Sequence, residues 1–183
     1  MTIVHELIKT MKGYAAGKDL RVLDLRIGIF YTAAKLSSGD AGVAFTPRDM
    51  EDTVCCPRSA AKMPASGKLR GKKALELAKL ADSDNSMKRS VGIAVLNALS
   101  AMMIRERGIK GARVLKNADA LDVIEIKKND NLAMVGAFVP FIKVLKGRTK
   151  NLSIIDKHPQ ALKEDERDLW RDPSSVEETI SQA

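Results

Sequence analysis

Leu132-Ala-Met-Val-Gly-Ala-Phe-Val-Pro-Phe141 is the stretch of sequence that decides the fold. It is an apolar run, a glycine and the start of an amphipathic helix, and the next apolar run, Leu152-Ser-Ile-Ile155, ends on Asp156. Gly136 and Asp156 lie 20 positions apart, which is the spacing of strand, turn, helix, strand and acid in a nucleotide-binding α/β unit. We therefore predict parallel strands at 132–137 and 152–155, joined by a helix at about 140–147.

The residues before this unit predict a separate α+β domain. Apolar positions at helical spacing indicate helices, and runs of β-forming residues around a turn indicate a hairpin. A helix that is apolar on nearly every side is a buried one, and Asn85 or Ser86 is its predicted N-cap. The predicted elements are a helix at 3–16, a hairpin from 20–36 and 41–46, and the buried helix at about 87–107. The polar run at 127–131 separates predicted domains at 1–126 and 132–183.

Composition restricts the partners and the location of the protein. The chain has 183 residues and a net charge of +8, but only 4% of its residues are aromatic. A basic protein attracts anions, whereas base stacking needs aromatic side chains, so the composition argues against nucleic acid. Cys55 and Cys56 are adjacent and form no disulfide framework, and no run approaches the length of a membrane span. A soluble protein of the reducing cytoplasm, without membrane partners, is therefore expected.

The second domain presents too few strands to stand alone. Two parallel strands do not normally form a stable sheet, because a parallel sheet must be covered on both faces. We therefore expect that the chain is a fragment of a longer protein, or that another chain completes the sheet. A homo-oligomer is one way to satisfy the second expectation.

Three motifs in a fixed order carry a family resemblance. They are the hairpin Arg26-Ile-Gly-Ile-Phe-Tyr-Thr-Ala with Gly39-Asp-Ala-Gly-Val-Ala-Phe-Thr46, the helix segment Arg89-Ser-Val-Gly-Ile-Ala-Val-Leu-Asn-Ala-Leu99, and Val135-Gly-Ala-Phe-Val-Pro140 followed by Ile155-Asp-Lys-His-Pro159. The chain resembles the prokaryotic family of unknown function labelled "putative heavy-metal chelation". The resemblance implies an α/β protein with an enolase N-terminal-like α+β domain followed by a partial Rossmann-like domain. It also implies a ligand site in the cleft between the domains. Family members continue through further strands, and their usual glutamate after the second Rossmann strand is Asp156 here.

Two candidate ligand-binding positions lie at the first strand-to-helix turn, Gly136 and Phe138. A dinucleotide fingerprint needs three glycines, and Phe138 and Phe141 replace the second and third. This argues against NAD or FAD. The turn is either a structural one, with Phe138 packed at the domain interface, or it holds a small ligand over the helix N-terminus. Asp156, at the end of the second strand, is either an acceptor for a ligand hydroxyl, a metal ligand, or a cap.

Asn97 and Thr32 are the remaining candidate ligand-binding residues. A buried polar side chain must find a partner, so each either ties the fold together internally or faces a cleft and orients a ligand. Cys55 and Cys56 could contribute a thiolate to a soft metal, or they are ordinary thiols. The basic loop at 66–73 could hold an anion, or it is a solvated connection. No triad can be assembled from two distant histidines, so catalytic residues and metal ligands stay unassigned.

Two functions follow from these observations. The first is binding of a metal chelate or another small anionic ligand in the cleft between the domains, with a metal ion as the candidate cofactor and enzymatic activity left open. The alternative is a basic interaction module that binds nucleic acid, or a protein partner that completes the sheet.

Overall fold

The computed structural model describes residues 2–47, 65 and 67–183. The chain is a mixed α/β protein that divides into two compact units, unit 1 at Met1–Arg113 and unit 2 at Val114–Ala183. Within these ranges, each unit has its own three-stranded sheet and its own hydrophobic core.

Unit 1 packs a long helix on an antiparallel sheet. Its strands are β1 (Val22–Ile27), β2 (Tyr31–Leu36) and β3 (Ala41–Phe45), in the order β1-β2-β3. The helices in its described part are α1 (Ile3–Tyr14), α2 (Ala74–Ala78), which continues into a 3-10 turn at Lys79–Asp82, and α3 (Ser86–Arg107). The predicted hairpin was therefore wrong in one respect, because the segment 20–36 is two strands. Gly28 allows the chain to turn between them, since a Cβ there would lie 2.9 Å from the carbonyl oxygen of Tyr31.

Helix α3 is the central element of unit 1. The Asn85 side chain caps it by accepting a hydrogen bond of 2.9 Å from the Lys88 amide, as predicted, and Gly108 with a φ of 68° ends it. By length and composition α3 could cross a membrane, although no span was predicted from the sequence. However, 56% of its apolar stretch is buried inside the unit. It therefore packs as a core helix. Its fully buried side chains meet those of α1 and of the inner sheet face, including Met11, Leu36, Val95, Leu99 and Met102.

Backbone contacts fix α3 against its neighbours at two glycines. A Cβ on Gly42 of β3 would lie 2.7 Å from the Asn97 carbonyl carbon and closer still to the Ala98 nitrogen. A Cβ on Gly92 of α3 would lie 2.6 Å from Ala81 Cα and closer still to the Ala81 nitrogen. Strand β3 and the 3-10 turn can therefore approach the helix main chain only because these side chains are absent.

Unit 2 is built on the predicted parallel pair. Its strands are β4 (Asn131–Val135), β5 (Asn151–Ile155) and β6 (Trp170–Arg171), in the order β4-β5-β6. Its helices are α4 (Ala120–Val123), α5 (Val139–Leu145) and α6 (Val176–Ser181). Both strand pairs are parallel, which confirms the strand–helix–strand prediction. Strand β6, of two residues, was not predicted from the sequence.

Candidate functional site

The candidate residues of unit 2 meet where β4 and β5 end. The amide of His158 donates to Asp156 Oδ1 at 2.9 Å, and the amide of Ala137 donates to Asp156 Oδ2 at 2.8 Å. These two backbone hydrogen bonds lower the pKa of Asp156 below its ordinary value. The carboxylate therefore joins the first turn to the end of the second strand. The indole Nε1 of Trp170 donates to the main-chain oxygen of Asp156 at 2.7 Å and ties β6 to the same point.

The main-chain amides of the turn after β4 donate hydrogen bonds to groups of the protein itself. Gly136, with a left-handed φ of 90°, donates to the Ile155 carbonyl at 2.8 Å, and Phe138 donates to the Gly136 carbonyl at 3.0 Å. Because the Ala137 amide is taken by Asp156, three successive donors are already bonded. A pyrophosphate needs such amides free, which gives a physical reason for the expectation against NAD or FAD. The Phe138 ring is 53% exposed and meets the Phe141 ring edge-on at 4.7 Å.

Thr32 in unit 1 is tied internally. Its side chain is buried in β2, and its hydroxyl lies 2.9 Å from the hydroxyl of Thr46, which is also buried. This pair links the residue after β3 to the middle of the sheet. The hydroxyl of Thr32 therefore points into the core.

Asn97 forms a hydrogen bond with the edge strand β3. Its side chain is exposed on α3, and its Nδ2 donates to the Val43 carbonyl at 2.7 Å. Two turns earlier on the same helix, Ser90 Oγ donates to the Phe45 carbonyl, also at 2.7 Å. Two side chains of α3 thus donate hydrogen bonds to main-chain carbonyls at the outer edge of β3.

A cleft of about 600 Å³ lies along this edge, entirely within unit 1. Its size suits a small molecule. Its walls combine apolar surface with a few polar groups that converge from α3; the lining includes Val43, Phe45, Pro47, Arg89, Ile93 and Asn97. The Arg89 guanidinium donates through Nη2 to the Asp84 carbonyl at 3.1 Å, and its other nitrogens have no partner among the described residues. The described lining of the cleft therefore offers the Arg89 guanidinium and the Asn97 side-chain amide beside an apolar wall.

The charge of the chain is concentrated in the unit that carries this cleft. Unit 1 holds 20 of the 31 Lys and Arg residues and 11 of the 23 Asp and Glu residues, a net of +9. The remaining residues of unit 2 give a net of −1. The preference for anions that the composition indicates therefore belongs to unit 1.

The other motifs contribute little to a site. Cys55 and Cys56 lie outside the described residues, and within the described ranges no group of three His, Cys, Asp or Glu side chains could hold a metal ion. In the basic loop, the amides of Lys68, Gly71 and Lys72 donate to the protein's own carbonyls. The loop is therefore a bonded connection in its described part, residues 67–73.

Sequence reasoning found Asn97 but missed Arg89 and the β3 edge. Arg89, Ile93 and Asn97 recur every four residues and therefore share one helix face. That spacing was a usable signal. The outward carbonyls of β3 gave no signal, because they depend on the register of a strand 54 positions away from Asn97.

Two sequence models of protein families match the chain, and both carry the description "Putative heavy-metal chelation". The DUF4213 model matches residues 9–100, half of the chain, and the DUF364 model matches residues 119–183. A comparison with curated proteins gave no match.

Two solved structures have a similar fold, and both are proteins of unknown function from the DUF364 family. The one from Pyrococcus horikoshii is 19% identical with a TM-score of 0.61, over 95% of this chain and 62% of that one. The one from Desulfitobacterium hafniense is 17% identical with a TM-score of 0.62, over 100% of this chain and 66% of that one. This chain thus spans just under two thirds of the length of either protein. The chain belongs to the family described as "Putative heavy-metal chelation".

Proposed function

We propose that this protein binds a small anionic ligand, such as a metal ion held by a carboxylate chelator, in the cleft between β3 and α3. The observation that carries the proposal is the cleft itself, which sets Arg89 and Asn97 beside an apolar wall. Ligand sites are typically concave and mostly apolar, with a few polar groups that fix orientation. The net charge of +9 on unit 1 would also raise the local concentration of an anion.

The described residues favour a chelate over a bare ion. Sites that bind a metal ion directly generally use three or four protein ligands, and the described part of the chain has no such group. A chelator brings its own ligands to the metal and presents carboxylates to the protein. The family description supports the same class of ligand.

The other candidate residues stay predictions within this proposal. Asp156, Gly136, Phe138 and Thr32 stay predicted ligand-binding residues, and their hydrogen bonds within the protein also keep their turns and strands in place. The enolase N-terminal-like and Rossmann-like assignments, the cytoplasmic location and the homo-oligomer also stay predictions. No side chain is assigned a catalytic role.

The test is a thermal-shift titration with citrate and with nickel citrate. A ligand that binds only the folded state raises the melting temperature by mass action. We expect Arg89→Gln to reduce the citrate-induced shift by at least half. Lys88→Gln removes the same charge one residue away, outside the cleft lining, and should keep the full shift. Equal shifts in the two variants, or no shift with either compound in the wild type, would contradict the proposal.

The charge of unit 1 also supports the alternative function, nucleic-acid binding. Contacts with phosphates release counterions, so the affinity would fall steeply as salt rises. Binding of a single-stranded oligonucleotide should be measured at several salt concentrations. Tight binding with a steep salt dependence, and no citrate-induced thermal shift, would favour this alternative over the first proposal.

A further inference from the structure

We propose that the backbone amides of Val43 and Phe45 bind the carboxylate of the ligand, and that Asn97 and Ser90 make this strand edge selective for ligands that only accept hydrogen bonds. The inference rests on the proposed function and adds the chemical class of the ligand. It concerns the edge of β3 and its two capping side chains on α3.

The register of the sheet sets the direction of each β3 amide. Leu36 donates to the carbonyl of Asp40, and Thr46 donates to the carbonyl of Phe30. In an antiparallel pair, alternate residues bond to the neighbouring strand, and the residues between them point away. The even-numbered residues of β3 therefore bond to β2. Val43 and Phe45 direct both their N–H and their C=O groups to the open edge.

Each of the two main-chain carbonyls at this edge already accepts one hydrogen bond. The carbonyl of Val43 accepts from Asn97 Nδ2, and the carbonyl of Phe45 accepts from Ser90 Oγ, each at 2.7 Å. The two amides have no strand partner, because β2 is the one neighbour of β3 in the described sheet. At Val43 and Phe45 the main-chain donors thus have no strand partner among the described strands, whereas the main-chain acceptors each have one hydrogen bond.

The side chains of the cleft add further donors to the same surface. Arg89 has guanidinium N–H groups without a partner in the described ranges, and Asn97 has a second amide hydrogen beyond the one donated to Val43. An ionised carboxylate only accepts hydrogen bonds and matches such a surface. A carboxamide of the same shape brings N–H groups that lose their water. The acceptors left for them at the described edge are the Asn97 Oδ1 and the second lone pairs of the two carbonyls, which weakens its binding relative to a carboxylate. An added peptide strand would suffer the same mismatch at both positions.

The direct test is a two-dimensional amide NMR titration of the whole chain with citrate. We expect the Val43 and Phe45 amide resonances to move with the same saturation curve as the citrate-induced thermal shift. Stabilisation by citrate without movement of either amide would overturn this inference and leave the proposed function standing. No stabilisation by any anion would overturn both.

Selectivity gives a second, independent measurement. Succinate and succinamide share one skeleton, and we expect succinate to bind at least about tenfold more tightly to the wild type. Asn97→Ala frees the Val43 carbonyl as an acceptor, so the preference should fall severalfold. Ser100→Ala, on the same helix but outside the cleft lining, should keep it. An unchanged preference in a folded Asn97→Ala protein would refute the role given to Asn97.

Discussion

Replacing Gly92 with alanine tests the closest contact in unit 1. The added Cβ would meet backbone atoms of Leu80 and Ala81 in the 3-10 turn, 2.6 Å from Ala81 Cα and nearer to the Ala81 nitrogen. These are main-chain atoms, so no side-chain rotation can relieve the overlap. Either the turn moves away from α3, or the helix bends.

Two opposing effects determine the expected magnitude. Alanine is the better helix former, which favours the variant by about 0.5–1 kcal/mol. Overpacking a filled interior costs about 1–3 kcal/mol, and a collision between two main chains lies at the upper end of that range. We therefore expect Gly92→Ala to lower the free energy of unfolding by about 1–2 kcal/mol or more.

The assay is urea unfolding followed by far-ultraviolet circular dichroism, with Gly13→Ala as the matched control. Gly13 lies inside α1, and its added Cβ would have no heavy atom within 4 Å. The control should therefore gain about 0.5–1 kcal/mol from helix propensity alone. If Gly92→Ala were stabilised as much as Gly13→Ala, the packing of α3 against the turn would be refuted.

Two further variants test the interior and the acid response. Thr32→Val should lower the free energy of unfolding in urea by about 1–3 kcal/mol, because the buried Thr46 hydroxyl loses its partner. A double variant with valine at both positions should recover much of that loss. Additive losses in the double variant would contradict this. Asp40 accepts two hydrogen bonds from the Arg105 guanidinium, which lower its pKa from 3.8 to about 2. The stability from this pair is present above pH about 4 and is lost as the pH falls towards about 2. Asp40→Asn should therefore flatten the fall in urea midpoint across that pH range. An equally steep fall in the variant would count against the pair.

The fold was predictable where local signals and periodicity agree. The buried helix was found with its N-cap, since Asn85 and the apolar stripe after it are both local signals. The β1–β2 turn was missed because Ile29 and Phe30 are themselves β-formers, so the only sign of the turn was Gly28. Strand β6 was missed because two residues are too few to show a period.

The candidate site was less predictable because several of its groups are main-chain atoms. The alternatives for Asn97 were an internal tie or a ligand contact, and the structure gives it the tie while leaving it on the wall of a cleft. Likewise, the carboxylate of Asp156 is bonded to two amides of its own chain, which no spacing rule could specify. Sequence shows which side chains are present, but strand register decides which backbone donors remain for a ligand.

The hydrogen bond from the indole to the end of β5 has a practical consequence. Trp170 is the single tryptophan and lies in unit 2, while both tyrosines, Tyr14 and Tyr31, lie in unit 1. Light absorbed by tryptophan alone therefore excites one unit and not the other. The wavelength of its emission should change when water reaches the junction of β5 and β6. The protein therefore has an intrinsic, label-free reporter for the assembly of unit 2.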